Sequence, residues 1–392
     1  MRLMMCEPED LLEAFYRRRY KVGVRFVAEI RPCMLDQPAR PFLCGGQPVL
    51  LTKESRKGGG RFTLVMIILF ALLIAALFLN LAVGSVKMSL SEIWELIKSG
   101  RNASTESLIL FNIRIPRMLL AAVLGGALAV SGFLLQSFFR NPIAGPFVLG
   151  ISSGAKMIVG ITMIFLAGRI LLSPATLIIA AFIGSLMITA VVLLFSQKVR
   201  NMELLLVIGI MVGYICSAVT DIAVTFATEQ DIVNLKYWSM GTFSGKGWDS
   251  VVTAAVVCFP TLIVSWLLSK PMGAYQLGEA YARSLGVNIR AFRTALILLS
   301  SLLSACVTAL AGPISFVGIA VPHITRTLIK SSKPELVIPA ATLCGAVFCV
   351  LCDLIARTVF SPTELNIGTV TSVFGAPVVI WMMISRRRRE AA

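Results

Sequence analysis

Few residues in this 392-residue chain have side chains suited to catalysis. The single histidine, His323, could act as a general base with Asp353 or Asp221 as its partner, because ionisable groups inside apolar segments are functional candidates. No motif of a nucleophile accompanies it. The sequence therefore favours a structural role for His323.

A nucleotide site would need the pattern GxxxxGK[ST], whose backbone N–H groups cradle phosphates. The nearest stretch is GTFSGKG (241–247), where only three residues separate Gly241 from Gly245 and Gly247 replaces the Ser or Thr. GxGxxG and HExxH are both absent from the sequence. We predict that the chain is not an enzyme and binds no cofactor of its own.

The nine cysteines do not follow the spacing of a secreted disulfide framework or a metal site. Six of them stand in apolar segments. Cys349 and Cys352 form a CxxC, but inside an apolar helix this spacing only places both side chains on one face, and no second CxxC accompanies it. We predict that they are small packing residues and that the chain has no metal site.

The composition is that of a membrane protein. Hydrophobic residues make up 57% of the chain and charged residues only 14%, with a mean hydropathy of +0.85. Apolar runs of about 20 residues, the length that crosses a bilayer, recur along the chain and are continuous, which argues against a β-barrel. We predict an all-α, polytopic membrane protein with about ten transmembrane helices, some of them broken.

Ten apolar segments carry this prediction. They are 62–83, 114–136, 147–167, 174–196, 203–226, 249–268, 292–311, 314–329, 335–356 and 367–385. We expect a membrane domain over 61–386, a basic cytoplasmic tail over 387–392, and a disordered cytoplasmic extension over 1–60. A translation start near Leu51 is favoured, so that 1–50 would be an upstream extension; the alternative is a genuine cytoplasmic appendage.

The net charge of +16 comes from basic residues at the ends of apolar runs, such as Arg56, Lys57 and Arg61 before the first and Arg386–Arg389 after the last. This placement orients membrane helices with their basic ends in the cytoplasm, so we predict cytoplasmic N- and C-termini, contact with lipid and no nucleic-acid partner.

Two stretches carry small residues at four-residue spacing, which lets membrane helices pack closely. They are Gly209, Gly213 and Ser217, and the GGALAVSG stretch (125–132).

Two apolar stretches are interrupted. AGPISFVGIAVPHITR (311–326) and NPIAGP (141–146) contain prolines and glycines that would break a helix. In a bilayer such breaks are tolerated only where neighbouring helices or a water-lined cavity satisfy the freed backbone groups. Ion-coupled secondary transporters also use broken helices, but they place carboxylates at mid-membrane, and here Asp221 and Asp353 lie toward helix ends.

Four stretches resemble one known family. They are 114–155 (RIPRMLLAAVLGGALAVSGFLLQSFFRNPIAGPFVLGISSGA), LGEAYARSLGVNIRAFR (277–293), AGPISFVGIAVPHITR (311–326) and 353–383 (DLIARTVFSPTELNIGTVTSVFGAPVVIWMM). In order and spacing they are similar to the permeases of ATP-binding-cassette (ABC) importers for iron chelates and cobalamin. The resemblance covers about residues 60–386 and has no counterpart for 1–50.

The resemblance implies a homodimer in the bacterial cytoplasmic (inner) membrane, with a translocation path along the dimer interface. Two separate ATPase subunits would bind on the cytoplasmic side and use ATP and Mg²⁺, and a periplasmic or lipoprotein binding protein would deliver the cargo. We expect an iron(III)-siderophore as cargo, with haem or cobalamin as alternatives. Transport would proceed by alternating access.

The resemblance also implies roles for single residues. Arg114, Arg117 and Arg357 are expected to bind the binding protein on the external face. The simpler alternative is that these side chains only reach to the membrane–water interface and anchor the helices there. Coupling to the ATPase, with Gly286 as the turn between two short helices, is expected for Gly278, Glu279, Ala280, Arg283, Leu285, Gly286 and Arg290. A mechanical role at the broken helices is expected for Gly312, Pro313, Pro322, His323, Asn141 and Pro142.

Overall fold

The computed structural model describes residues 54–84, 88–100, 104–166, 173–199, 202–361 and 363–391. Within these ranges every regular element is a helix. Residues 1–50, predicted to be a disordered or untranslated extension, lie outside the described residues.

Fourteen helices run through the described part of the chain. In order they are α1 Glu54–Ala82, α2 Leu90–Ser99, α3 Thr105–Phe139, α4 Ile151–Phe165, α5 Pro174–Lys198, α6 Met202–Thr225, α7 Glu229–Met240, α8 Trp248–Leu267, α9 Ser269–Leu277, α10 Glu279–Ser284, α11 Ile289–Ala311, α12 Val317–Ile329, α13 Pro334–Thr358 and α14 Ile367–Ala391.

Eight of these helices are long and apolar enough to cross a membrane: α1, α3, α5, α6, α8, α11, α13 and α14. Two more, α4 and α12, are apolar but shorter, with 15 and 13 residues. Together they occupy the ten predicted segments, so the predicted fold class is confirmed. The short helices α2 and α7 were not predicted, although each begins with a capping box, Ser89 with Glu92 and Thr228 with Asp231.

Helices extend past both predicted bounds of the membrane domain, 61 and 386, and these bounds stay a prediction. Helix α1 already begins at Glu54, inside the stretch predicted to be disordered, and α14 continues to Ala391, so the basic tail prolongs the last helix. Arg and Glu have high helix propensity, so α14 continues readily through its charged end.

Contacts between helix ends define two ends of the bundle. At the near end, where α1 begins, Arg61 Nε donates to Leu328 O at 2.8 Å, which places the end of α12 there. At the far end, where α1 ends, Arg357 of α13 donates to Asn80. Helix α14 runs beside α12 toward the near end, because the ring of its Trp381 meets that of His323 at 6.3 Å. The first and last helices therefore begin and end on the same side.

Helix α3 is the most deeply buried of the eight spans and forms the centre of the bundle. Its glycines let other helices approach closely. A Cβ on Gly125 would overlap the carbonyl oxygen of Gly345 in α13, and one on Gly132 would overlap that of Gly318 in α12. The predicted packing role of the GGALAVSG stretch is thus confirmed.

The two short apolar helices begin partway through the bundle. Gly150, just before α4, packs against Gly213, the twelfth residue of α6, and Gly318 at the start of α12 packs against Gly132 in α3. The preceding segments, 141–150 and 312–316, therefore run inside the bundle as irregular chain. Such backbone is stable at membrane depth only where surrounding protein satisfies its polar groups.

Candidate functional site

Three arginines are buried at the far end of the bundle. Arg114 and Arg117 belong to α3 and Arg357 to the last turn of α13. The sequence predicted that all three lie on the external face, and the structure buries their side chains within the chain. Each guanidinium group donates hydrogen bonds within the chain, although the buried Nε of Arg357 has no partner among the described residues. Their proposed docking role stays a prediction.

Arg117 is the centre of this far-end cluster. Its Nη2 lies 2.9 Å from Asp353 Oδ1, and its Nε donates to both carboxylate oxygens of Asp353 at 3.0 and 3.1 Å. Its Nη1 donates to both oxygens of Glu364 at 3.1 and 3.0 Å. The side chain of Asp353 is 1% exposed and that of Glu364 is 43% exposed. One carboxylate is therefore held inside the protein while the other lies at its surface.

Arg114 and Arg357 tie the end of α1 to the rest of the bundle. Arg114 donates to Leu81 O, and Arg357 donates to Asn80 O and, at 2.5 Å, to Asn80 Oδ1. Asn80 in turn donates from Nδ2 to Val350 O at 3.1 Å. Charged donors thus satisfy the last carbonyl groups of α1, which an isolated helix end would leave unpaired.

The part of α3 that carries Arg114 is a π-helix, Ile109–Arg114, in which Ile115 N donates to Leu110 O. The sequence predicted that this helix begins at Arg114, with Pro116 in its first turn. Instead the helix begins at Thr105 and the π-helical turn precedes Pro116. A proline lacks the N–H and would collide with the carbonyl group four residues earlier, and a widened turn removes both conflicts.

The helix break (312–316) separates α11 from α12. Gly312 has a φ of +78°, which glycine adopts without strain, and Thr242 N donates to the freed carbonyl group of Ala311 at 2.7 Å. Phe316, also at positive φ, packs against Gly375 of α14. A neighbouring loop therefore satisfies the interrupted backbone, as predicted for a break inside a bundle.

Pro322 does not break α12, contrary to the prediction. A proline at this position removes the donor for Gly318 O, four residues earlier. Gln136 of α3 supplies a replacement, because its Nε2 donates to Gly318 O at 3.3 Å and to Ile319 O at 3.2 Å. Arg326 Nη2 donates to Gln136 Oε1 at 2.8 Å and fixes the amide orientation. No local signal in the sequence could have marked Gln136, since its partners lie more than 180 residues away.

His323 and Pro313 belong to the same region. His323 packs edge-on against Trp381, whereas Asp353 is held by Arg117 toward the opposite end of the bundle. The catalytic pairing of His323 with Asp353 is therefore not formed. The carbonyl oxygen of Pro313 lies against Gly241, where a Cβ would come within 2.8 Å.

Asn141 and Pro142 form the turn after α3. Asn141 Oδ1 accepts from Ile143 N at 3.1 Å, and Asn141 O accepts from Ala144 N at 3.2 Å. A Cβ on Gly145 would come within 2.9 Å of Ile319 in α12. The turn thus connects the near end of α3 to the start of α4 deep in the bundle, beside α12.

The predicted ATPase-coupling residues lie on and beside the α9–α10 segment (269–286) at the near end. Two glycines at positive φ turn the chain here: Gly278, with a φ of +145°, lies between α9 and α10, and Gly286, with a φ of +84°, lies between α10 and α11. The turn expected at Gly286 is present, but the helix that follows it is the long α11 and not a second short helix. The exposed members of the predicted set are Ala280, Arg283, Leu285, Gly286 and Arg290.

Glu279 anchors this segment to the bundle. Its Oε1 accepts from Arg293 Nη2 of α11 and from Tyr275 OH at 3.1 Å. Arg140, after α3, donates to Tyr275 O at 2.9 Å. Burial alone would raise the pKa of Glu279, but the hydrogen bond and positive charge of Arg293 outweigh it and lower the pKa below its ordinary value. Glu279 is therefore a carboxylate at neutral pH, and the segment is fastened to α3 and α11.

Lys156 in α4 was missed at the sequence level. It stands in the predicted apolar segment 147–167, where a charged residue is a functional candidate by itself. The side chain is half-exposed.

Comparisons with known proteins give a consistent result. The profile of the FecCD transport family matches residues 72–385. The chain belongs to the FecCD transport family.

Relatives of this FecCD protein cover most of its length. The hemin transport system permease protein HmuU of Yersinia pestis is 34% identical over 335 residues, 84% of this chain and 96% of the relative. The vitamin B12 import system permease protein BtuC of Yersinia pseudotuberculosis is 39% identical over 325 residues, 82% of this chain and 91% of the relative.

A solved structure of a metal-chelate type ABC transporter in an inward-facing conformation has a TM-score of 0.73. It is 28% identical and covers 82% of this chain and 99% of that one. This FecCD protein is thus a multi-pass ABC importer permease. The resemblance noted in the sequence is confirmed.

Proposed function

We propose that this FecCD permease carries an iron(III)-siderophore complex into the bacterial cytoplasm across the inner membrane, with its near end in the cytoplasm. Two copies would form the transport path and bind two ATPase subunits, which supply the ATP hydrolysis. A separate binding protein would deliver the cargo to the far end. The observation that best supports this proposal is an exposed apolar edge on the α9–α10 segment, where an ATPase subunit could bind.

That edge consists of Leu277, Tyr281 and Leu285, which are 74%, 49% and 59% exposed. They are spaced four residues apart, and the other large apolar side chains of the segment, Met272 and Tyr275, are buried. Apolar side chains grouped beside charged Arg283 are typical of a protein contact. Because Glu279 fastens the segment to Arg293, a partner that moves it would also move α11.

The far end fits a partner of acidic character. Glu364 holds one edge of Arg117 and is partly exposed, whereas Asp353 holds the other edge inside the protein. An incoming carboxylate could take the place of Glu364 without disturbing Asp353. This supports docking of the binding protein by exchange at Arg117, while Arg114 and Arg357 position the helices around it.

The cargoes of known relatives set the order of the candidate cargoes. The relatives named above transport hemin and vitamin B12, and the solved neighbour is described as a metal-chelate transporter. A siderophore complex and haem are both iron(III) chelates, which is why we place haem second and cobalamin third. An ion-coupled secondary transporter is disfavoured, because Asp353 is bound by Arg117 and Asp221 is the remaining candidate carboxylate.

Reconstitution tests the proposal directly. The chain is incorporated into proteoliposomes with its ATPase and binding protein, and uptake of a ferric siderophore, haem and cobalamin is measured with and without ATP. We expect uptake of the siderophore that requires ATP, the binding protein and an intact ATPase. Uptake driven by an ion gradient without ATP would overturn the proposal. ATP-driven uptake of haem alone, or of cobalamin alone, would identify that compound as the cargo in place of the siderophore.

A further inference from the structure

We infer that Lys156 faces a water-filled stretch of the transport path and contacts anionic groups of the chelate. This inference rests on the proposed function. Lys156 is the sole charged residue of α4, whose other residues are apolar or small and uncharged. Such a residue in an apolar helix requires a physical reason, because burying an unpaired ammonium group is costly.

The depth of Lys156 follows from the contacts of its neighbours. A Cβ on Gly213 of α6 would lie 3.6 Å from Ser153 Oγ, and one on Gly160 would lie 3.6 Å from Thr220 Cγ2 of α6. Ser153, Lys156 and Gly160 share one helix face, since they are three and four residues apart. Lys156 is therefore level with the stretch of α6 between Gly213 and Thr220.

This level is near the middle of a bilayer. At about 1.5 Å per residue, it lies about 21 Å from the near end of α6 and about 13 Å from the far end. If α6 is centred in a hydrocarbon layer about 30 Å thick, Lys156 lies within a few ångströms of its midplane. The extended side chain reaches only about 6 Å, too short to bring the ammonium group to either surface.

No residue that the structure describes neutralises this charge. Among the residues that the structure describes, Lys156 forms neither a hydrogen bond nor an ion pair. Asp221 stands further toward the far end of α6 and is exposed, without an ion pair to Lys156. Lipid tails cannot solvate an ammonium group, and a lysine at the centre of a spanning helix costs about 2.5–3.5 kcal/mol on insertion scales. Water and a mobile anion are the remaining sources of solvation.

The neighbouring surface of α6 is open in this chain. Tyr214, Ser217 and Asp221 are exposed on it at and above the level of Lys156. A half-exposed Lys156 beside this surface can therefore reach a space outside the single chain. In the proposed homodimer such a space would belong to the transport path or to the interface that borders it.

The chemistry of an ammonium group defines the ligand class. It offers three donors on a flexible stem and suits carboxylate or phenolate oxygens without demanding one geometry. In a narrow, low-dielectric path, one fixed positive charge favours anionic cargo and opposes cations. Lys156 would therefore favour chelates that carry free carboxylates or a net negative charge.

Thiol labelling tests water access independently of the cargo. Lys156→Cys is made in a variant whose nine native cysteines are replaced, and is treated with a charged, membrane-impermeant thiol reagent in the assembled transporter. Ile183→Cys, an exposed position on apolar α5, serves as the control. We expect labelling of Lys156→Cys and little of Ile183→Cys. Absence of labelling at Lys156→Cys in both the ATP-bound and ATP-free transporter would overturn the inference.

Uptake tests charge recognition. Haem is compared with its dimethyl ester, which lacks the two free carboxylates, and a ferric tris-catecholate, which is anionic, with an uncharged ferric tris-hydroxamate. For Lys156→Met we expect uptake of the anionic member of a transported pair to fall about tenfold, since one charged contact is lost. Uptake of the other member should stay within about twofold of that by the unmodified protein. Lys156→Arg should restore uptake, and Ile161→Met on the same helix should change neither.

The outcomes separate this inference from the proposed function. Equal slowing of both members of a pair, or transport of the non-anionic members alone, would overturn charge recognition. Strong energetic coupling between Lys156→Met and Asp221→Asn would instead assign Lys156 to an ion pair with the second copy. ATP-independent uptake would overturn the proposed function of the chain, and the role of Lys156 in cargo recognition would be overturned with it. The labelling experiment would still show whether Lys156 faces water.

Discussion

Arg117 and Asp353 form a buried ion pair between α3 and α13, with 2.9 Å between Nη2 and Oδ1. Removing the carboxylate would leave the buried edge of the guanidinium group without its counter-charge, with only the partly exposed Glu364 remaining on the other edge, and loss of a buried partner typically costs about 3–5 kcal/mol. We expect Asp353→Asn to lower the thermal unfolding temperature strongly, and Glu364→Gln, on the exposed side of the same arginine, to cost at most about 1 kcal/mol. Unfolding in detergent checks this, with exposed Glu335→Gln as the control. Equal small shifts for both variants would contradict it.

Glu364 also gives a cleaner test of docking than the arginines do. Arg114→Glu, Arg117→Glu or Arg357→Glu would bury a carboxylate and disturb folding, so a loss of uptake in them would be ambiguous. If an acidic binding protein displaces Glu364, Glu364→Gln should strengthen its binding several-fold because a competing charge is gone. Binding is measured at low and physiological salt. Unchanged binding at both would show that Arg117 is not the contact.

The glycines of the α9–α10 segment test coupling to the ATPase. A Cβ on Gly278 or Gly286 meets no atom within 4 Å, so substitution acts only through the positive φ, at about 1–2 kcal/mol. We expect Gly278→Ala and Gly286→Ala to lower the ratio of uptake to ATP hydrolysis. Gly245→Ala is the matched control, since Gly245 has a φ of +70° and equally open surroundings in the loop between α7 and α8. A similar loss of coupling in the control would contradict the docking role.

The ion pair of Glu279 with Arg293 predicts a pH-dependent stability. The pKa of Glu279 is lowered in the folded protein, so its contribution is complete above the unfolded pKa and is lost as the pH falls through the folded value. We expect Glu279→Gln to destabilise the protein by about 1–2 kcal/mol at pH 7, and this difference to shrink as the pH falls below about 4.3, the pKa of an unfolded glutamate, and to vanish below the lower folded pKa. Thermal unfolding of both proteins across this range is the measurement. A difference that persists unchanged at low pH would show that the carboxylate charge is not its cause.

Close helix contact at Gly132 predicts a large loss of stability from one methyl group. A Cβ there would overlap Gly318 O, so Gly132→Ala must push α12 away from α3. Gly273→Ala in helix α9 is the matched control, because its Cβ would meet nothing closer than 3.9 Å. We expect Gly132→Ala to abolish or strongly reduce folded protein in detergent and Gly273→Ala to be neutral or slightly stabilising. Equal yields would contradict the observed contact.

The membrane helices were predictable because hydrophobicity alone specifies a spanning segment. The small-residue rows were predictable for a similar reason, since Gly125 and Ala129 face one neighbour at helical spacing. The capping boxes at Ser89 and Thr228 could have indicated α2 and α7, and the charge of Lys156 within an apolar run could have marked it. These signals are local in sequence and need no tertiary information.

The pairings of the site were not predictable in the same way. Arg117 finds Asp353 across 236 residues, and Gln136 reaches the carbonyl group freed by Pro322 from another helix. Charge position along a spanning segment placed the far-end arginines at the end of a helix, whereas their burial depends on partners from a distant helix. That the chain makes a second turn at Gly278 likewise depended on where the short helix α10 begins.

The π-helical turn at Ile109–Arg114 sets the rotational phase of α3. Leu110 and Met118 are eight residues apart and would point about 80° away from each other in an unbroken α-helix. The one additional residue of the wider turn reduces this angle to about 20°. Both side chains accordingly join one apolar cluster with Leu81, Met88 and Ile93. Deleting a single residue between 109 and 114 would rotate the outer turns of α3 relative to this cluster. Met88 and Ile93 would then lose their packing contacts with Leu110.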